Sequence, residues 1–161
     1  MKKKEYHFSY EVYESIDALN AEDALLLREA QKITEQAYAP YSRFRVGAVA
    51  ILANGKKITG TNQENASFPV GICAERVLLS AASAVYPGIP IKTIAVSYNG
   101  DRHSSDYPIS PCGICRQSLV EYESRMDQPI RLILGGLKGE VYIIPESNAL
   151  LPFAFTKEEL S

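Results

Sequence analysis

Residues 73–84 read CAERVLLSAASA. As a helix this stretch is apolar on nearly every side, through Ala74, Val77, Leu78, Leu79, Ala81 and Ala82. Such a helix has to sit deep inside a protein. Pro87-Gly88 ends it just after Ala84. Upstream stands a hairpin signal: residues 46–52 read as a buried strand, Asn54-Gly55 as a tight turn, and residues 57–61 as the returning strand. Downstream, residues 91–97 read as a third strand. A buried helix between strands places the chain among α/β folds.

The rest follows by working outward. Asn20 is suited to cap a helix with Glu22 and Asp23 in its first turn. Leu26, Ala30, Ile33 and Ala37 recur at helical spacing, so this helix is expected to run to about Tyr38, before Pro40. Residues 6–13 read as an extended strand or arm, and residues 99–110, with Asn99-Gly100, as a polar loop. A third helix is expected from about Cys112 to about Arg125. Strands follow at 131–135 and 141–145, joined around Lys138-Gly139. The tail, 146–161, ends in a short helical turn. The order is α-β-β-α-β-α-β-β. The expected fold is a three-layer α-β-α sandwich around a mixed five-stranded sheet, one domain over residues 1–161 with residues 1–18 as an N-terminal arm.

Bulk properties remove several function classes. With 161 residues, 46% hydrophobic and 22% charged, the chain can bury a sizeable core. The formal net charge of −2 comes with no basic stripe, which argues against a nucleic-acid partner. Lys2, Lys3 and Lys4 lead into the polar segment from Tyr6, so no secretory signal is expected, and no apolar run reaches the ~18 residues that span a bilayer. Three cysteines make a poor disulfide framework. The expectation is a cytoplasmic protein with reduced thiols and no membrane partner.

Those three cysteines, Cys73, Cys112 and Cys115, fall in two elements: Cys73-Ala74-Glu75 and Pro111-Cys112-Gly113-Ile114-Cys115. Both lie at strand-to-helix transitions, where open α/β sheets put their sites. Free N–H groups and the positive dipole end at a helix start favour thiolates. Three thiolates suit one tetrahedral Zn2+ and leave its fourth position to water, as in catalytic zinc sites. Glu75, two residues after Cys73, is placed to accept and return protons. A zinc ion with three thiolates is formally anionic. Arg76 and Arg116 adjoin the ligand elements and could offset that charge by hydrogen bonding to sulfur. A C-x-x-C pair alone also fits a redox pair or half of a structural zinc site, with His103 or His7 as a fourth ligand. A redox pair would leave Cys73-Ala74-Glu75 without a purpose. A C-x-E element followed by P-C-x-x-C is the arrangement of zinc-dependent nucleobase deaminases.

At this point the sequence resembles cytidine deaminase of the small homotetrameric kind with three zinc-binding cysteines. Tyr38-Ala39-Pro40-Tyr41-Ser42-Arg43-Phe44-Arg45-Val46-Gly47-Ala48 is similar to that family's A-Y-x-P-Y-S-x-F-x-V-G-A stretch, and Asn62-Gln63-Glu64-Asn65-Ala66 to its N-x-E-N-A. Cys73-Ala74-Glu75-Arg76 and Pro111 through Gln117 match the metal motifs, and Leu150 through Phe155 resembles its L-L-P-x-x-F. The resemblance implies zinc-dependent hydrolytic deamination of cytidine and 2′-deoxycytidine in pyrimidine salvage. It implies that Asn62 and Glu64 bind the ribose hydroxyls, that Phe44 packs on the nucleoside, and that the Ala74 backbone N–H holds the base carbonyl. It implies further that Phe155 stacks on the base in a neighbouring subunit of a homotetramer. Three features depart from the pattern: Phe68 where Tyr is common, a longer polar loop at 99–110, and a longer N-terminal arm. The rivals are an aminonucleoside-antibiotic deaminase, a polynucleotide deaminase and a non-catalytic zinc module. The Asn62-x-Glu64-Asn65 ribose grip favours the nucleoside enzyme.

Overall fold

The structure, a computed structural model, describes residues 1–102 and 104–160. Six strands form one sheet: β1 (Glu11–Tyr13), β2 (Phe44–Leu52), β3 (Lys57–Thr61), β4 (Ile91–Gly100), β5 (Arg131–Gly135) and β6 (Val141–Ile144). Three α-helices accompany them: α1 (Ala21–Ile33), α2 (Ala74–Val85) and α3 (Gly113–Met126). The order across the sheet is β1-β6-β5-β4-β2-β3. Among these described strands, β4 and β5 are the one parallel pair, with α3 as their crossover.

The expected mixed sheet is present with one strand more than the five expected. The sixth is β1 in the N-terminal arm, where Glu11, Val12 and Tyr13 pair with Ile143, Tyr142 and Val141. It covers the edge that β6 would otherwise leave unpaired.

Helices cover both faces. Leu26, Leu27 and Ala30 of α1 pack with Val49, Ala95, Ile133 and Ile143 on one side. On the other, Leu78, Leu79 and Ala82 of α2 and Leu119 of α3 pack with Ala48, Ala50, Ile94, Val96, Leu132 and Leu134. Alternate residues of each central strand thus enter opposite cores. Burial on both faces explains why these strands read as continuous apolar runs.

Asn20 caps α1 as expected, its Oδ1 accepting from the Asp23 backbone N–H at 2.9 Å. The α-helix stops at Ile33, short of Tyr38, and tightens into a 3-10 turn at Thr34–Gln36. There the Thr34 hydroxyl donates to the Gln31 carbonyl at 2.7 Å, an alternative to continuing the helix. Buried Asp23 ties α1 to the start of β5 through two 2.7 Å bonds from Arg131. The Arg131 guanidinium holds the Asp23 carboxyl below its ordinary value, against the opposing effect of burial.

β4 continues past Ser97 through Asn99 and Gly100, which pair with Arg45 and Phe44. The expected loop is therefore shorter at its start. Its buried Ser105 accepts the Leu137 N–H at 2.6 Å, which docks the loop on the β5–β6 turn. Gly139 makes this docking possible: its φ is +81°, and a Cβ there would stand 1.9 Å from the Asp106 carbonyl oxygen.

Candidate active site

Cys73 is the residue that opens α2 and Cys112 the one that opens α3, so both thiols sit at helix N-termini. Cys115 follows in the first turn of α3 and is buried, while Cys73 is half-buried and Cys112 exposed. The Cys73 and Cys112 sulfurs lie 3.7 Å apart, and those of Cys112 and Cys115 lie 3.4 Å apart. All three lie within 4.8 Å of one another. Three ligands about 2.3 Å from a tetrahedral zinc would be spaced by about 3.8 Å, so this cluster fits the ion.

The thiols are electrostatically unequal. Hydrogen bonding from Cys115, and then from Cys112, brings Cys73 down to about 6, although burial opposes it. The same bond to Cys73, with burial and the charge of Glu75, pushes Cys115 far above the ordinary thiol range. Sulfurs this close cannot all ionise without a cation among them.

Glu75 occupies the first turn of α2 and is only 6% exposed. Burial raises its carboxyl above the ordinary value, with a smaller opposing effect from its own backbone N–H and from Cys115. A carboxyl shifted in this direction is suited to exchange protons near neutral pH. Ala74 beside it is fully buried, and its backbone N–H belongs to the helix's first turn, where no intrahelical acceptor exists.

The two arginines behave differently. Arg76 lowers the Cys73 pKa through its charge. Arg116 directs its described hydrogen bonds to carbonyls rather than to sulfur: Nε donates to Pro111 at 2.8 Å and Nη1 to Leu150 at 3.2 Å. It therefore holds the ligand loop and the C-terminal tail together.

Phe44 begins β2 and stacks on buried Tyr98, with ring centroids 5.1 Å apart. Asn62 spends its amide on the same strand: Oδ1 accepts the Val46 N–H at 2.7 Å, and Nδ2 donates to the Phe44 carbonyl at 2.8 Å. Glu64 accepts the N–H groups of Tyr41 and Ser42 at 2.8 and 3.2 Å. Burial pushes the Glu64 carboxyl up, but the bonds from Ser42 and Tyr41 outweigh it and leave it below the ordinary value. Glu64 lines a cavity of about 420 Å³ with Tyr41, Ser42, Asn65, Phe68 and Gly71. Gly71 lies two residues before Cys73 in the chain. Phe68 is 75% exposed there and meets Tyr41 edge-on.

Phe155 is exposed, and its peptide is bracketed by one side chain. Gln117 Nε2 donates to the Phe155 carbonyl at 2.7 Å, while Gln117 Oε1 accepts the Phe155 N–H at 3.3 Å. Sequence reasoning quoted Gln117 within a motif and gave it no role. The alternative fourth ligand His7 is exposed and pairs with Glu5 at 3.0 Å, and His103 lies outside the described residues. Among the described residues, the metal-ligating group holds cysteines alone. Among them, too, no helix is long and apolar enough to cross a membrane.

Three cysteines brought together by two helix starts, beside a buried glutamate on a helix-covered mixed sheet, define a zinc-binding deaminase-type domain. The family described as "Cytidine and deoxycytidylate deaminase zinc-binding region" matches residues 20–127. A cytidine deaminase of Halalkalibacterium halodurans is 38% identical over 137 residues, covering 85% of this chain and 96% of that one. One from Sporosarcina psychrophila is 37% identical, covering 84% and 93%. The crystal structure of a cytidine deaminase from Burkholderia pseudomallei superposes with a TM-score of 0.70 at 37% identity, covering 81% of this chain and 97% of that one. The chain belongs to the cytidine and deoxycytidylate deaminase family, and its three cysteines fit one Zn2+.

Proposed function

We propose that this protein hydrolyses cytidine and 2′-deoxycytidine to uridine and 2′-deoxyuridine, releasing ammonia, as a step of pyrimidine salvage. The observation that carries this reading is the position of Glu75, buried and two residues from Cys73, at the cluster of Cys73, Cys112 and Cys115. When bound to those sulfurs, zinc supplies a water acidified to a pKa of about 7. Glu75 would be the group of this chain that accepts a proton from the water attacking C4 of the base. It then delivers a proton to N3 and helps the 4-amino group leave as ammonia. The raised carboxyl of Glu75 supports both the accepting and the donating role.

The remaining residues bind and orient. The Ala74 N–H, free at the helix start, holds the base carbonyl. Glu64 receives the ribose hydroxyls at the cavity it lines. Asn62 joins the ribose grip and also fixes Phe44, through the bonds its amide makes to β2. Phe44 packs on the nucleoside. Arg76 offsets the negative charge at the sulfurs, and Arg116 braces the loop that carries Cys112.

Residues 1–161 act as one cytidine deaminase-like domain with residues 1–18 as its arm, in the cytoplasm and without nucleic-acid or membrane partners. The functional unit is a homotetramer with sites shared between subunits. Support comes from the exposed apolar tail, where Phe153 is 93% and Phe155 59% exposed, a surface that a second subunit would cover. Phe155 then stacks on the base bound in the neighbour.

The test is a panel of cytosine, cytidine, deoxycytidine, dCMP and adenosine, read as ultraviolet absorbance change and released ammonia. Turnover of the two cytosine nucleosides, with the free base and adenosine left intact, is expected. Turnover of adenosine, or of none of them by zinc-replete protein, contradicts the reading.

A further inference from the structure

The C-terminal tail runs beside α3 and is gripped by it at three levels. Nearest the end of the helix, buried Glu123 uses both carboxylate oxygens. Its Oε1 accepts from the Ile130 N–H at 2.7 Å, the Ser147 N–H at 2.9 Å and the Ser147 hydroxyl at 2.8 Å. Its Oε2 accepts the Asn148 N–H at 3.2 Å. Further toward the start of the helix, Arg116 takes the Leu150 carbonyl, and Gln117 takes both polar groups of the Phe155 peptide. From Ser147 to Phe155 the tail is thus laid along α3, and Phe155 reaches the helix next to the turn that carries Cys115.

Glu123 governs the entry to this track. A buried carboxylate with four donors is a costly arrangement to form and a rigid one once formed. Its donors come from two places: Ile130, the residue before β5, and the 3-10 turn Ser147–Leu150 where the tail leaves the sheet. Ser147 also donates its N–H to the Ile130 carbonyl at 2.9 Å, so the turn has one setting relative to the sheet. Past that turn, the tail is next tied to α3 at Phe155, whose peptide both donates to and accepts from Gln117. The turn's setting therefore decides how the Phe155 peptide meets Gln117, and a shift in the turn would strain or break that clamp.

We propose that Glu123 is a positioning residue for the reaction: by fixing the Ser147–Leu150 turn it sets where Phe155 stands for stacking on the base. This rests on the assignment of Phe155 to the base made above. Glu123 does not touch substrate and acts through the tail, so its effect on catalysis exists only while Phe155 is there to be positioned.

The test is steady-state deamination of cytidine by the parent, Glu123→Gln, Phe155→Ala and the double variant, each with its zinc content measured. In Glu123→Gln an amide replaces one acceptor oxygen and opposes a donor N–H. Its KM is expected to rise about three- to tenfold, with kcat within about twofold and one zinc per chain retained. Phe155→Ala should raise KM at least as far, and adding Glu123→Gln to it should change KM no further. Ser147→Ala, which removes one donor and keeps the carboxylate, should give a smaller rise of about twofold, again absent without Phe155. That variant carries the test if Glu123→Gln does not fold. An unchanged KM in Glu123→Gln while Phe155→Ala raises it overturns the positioning role alone. A further multiplication of KM in the double variant does the same. An unchanged KM in Phe155→Ala overturns the base-stacking assignment, and with it this role.

Discussion

Gly60 in β3 lies directly beneath Ala74 at the start of α2: a Cβ on Gly60 would stand 2.4 Å from the Ala74 carbonyl oxygen and 2.5 Å from the Leu78 nitrogen. The hairpin thereby sets the height of the helix start that carries Cys73, Ala74 and Glu75. The buried, nearly all-apolar helix read from the sequence can approach the sheet this closely only because the strand offers a bare backbone.

Gly60→Ala should therefore act on the metal site through the backbone. Forcing a methyl group into this contact is expected to cost about 2 kcal/mol. It should also lift the Cys73 thiol away from Cys112 and weaken zinc retention. Thermal melts and zinc content after mild chelation would register both effects; an unchanged melt would show that α2 yields freely.

Cys112→Ser removes one of three sulfurs that lie within 4.8 Å of one another. The variant is expected to lose zinc and turnover together, and to melt earlier, because metal binding is coupled to folding. Full zinc occupancy, measured by atomic emission on the purified variant, would mean that Cys112 is not a ligand.

The Asp23–Arg131 pair makes a prediction about acid stability. Arg131 depresses the native Asp23 carboxyl below its ordinary 3.8. A depressed carboxyl contributes stability that is complete above the unfolded pKa and fades as pH falls through the native one. Asp23→Asn should thus be less stable than the parent by about 2 kcal/mol at neutral pH. The gap should close as the pH drops below 3.8, the carboxyl's ordinary value. Denaturant melts of both proteins at several pH values measure it, and a gap that persists in acid would rule out the ion pair as its source.

How legible this protein was depended on the range of each signal. The hairpin at Asn54-Gly55, the buried helix after Cys73 and the cap at Asn20 are local, and the structure has all three. The sixth strand was weak in sequence because it has only three residues, Glu11–Tyr13, and exists by pairing with β6 at the far end of the chain. The end of α1 turned on one hydroxyl, that of Thr34. Asn99-Gly100 resembles a turn by composition, yet it extends β4 because Phe44 and Arg45 supply partners. In the site, the cysteine cluster was visible as spacing. The bond of Arg116 to Leu150, the grip of Gln117 on Phe155 and the bonds of Glu123 to Ser147 and Asn148 join residues distant in sequence, and nothing local announces them.

If active sites are shared, two impaired variants should rescue each other. Glu75→Gln and Phe155→Ala, unfolded together and reassembled, would place an intact Glu75 and an intact Phe155 in some of the mixed sites. Activity of the mixture should exceed the sum of the two treated separately. Simple additivity, or a monomer by light scattering, would assign Phe155 to its own chain.

The sharpest measurement is zinc content and cytidine turnover determined on one preparation of Glu75→Gln. The amide keeps the shape of a side chain that is 6% exposed but cannot accept the proton. One zinc per chain with turnover reduced by at least about 10²–10⁴-fold is the expected result. Turnover near that of the parent, with zinc in place, would contradict the assignment of Glu75 as the group that moves the proton.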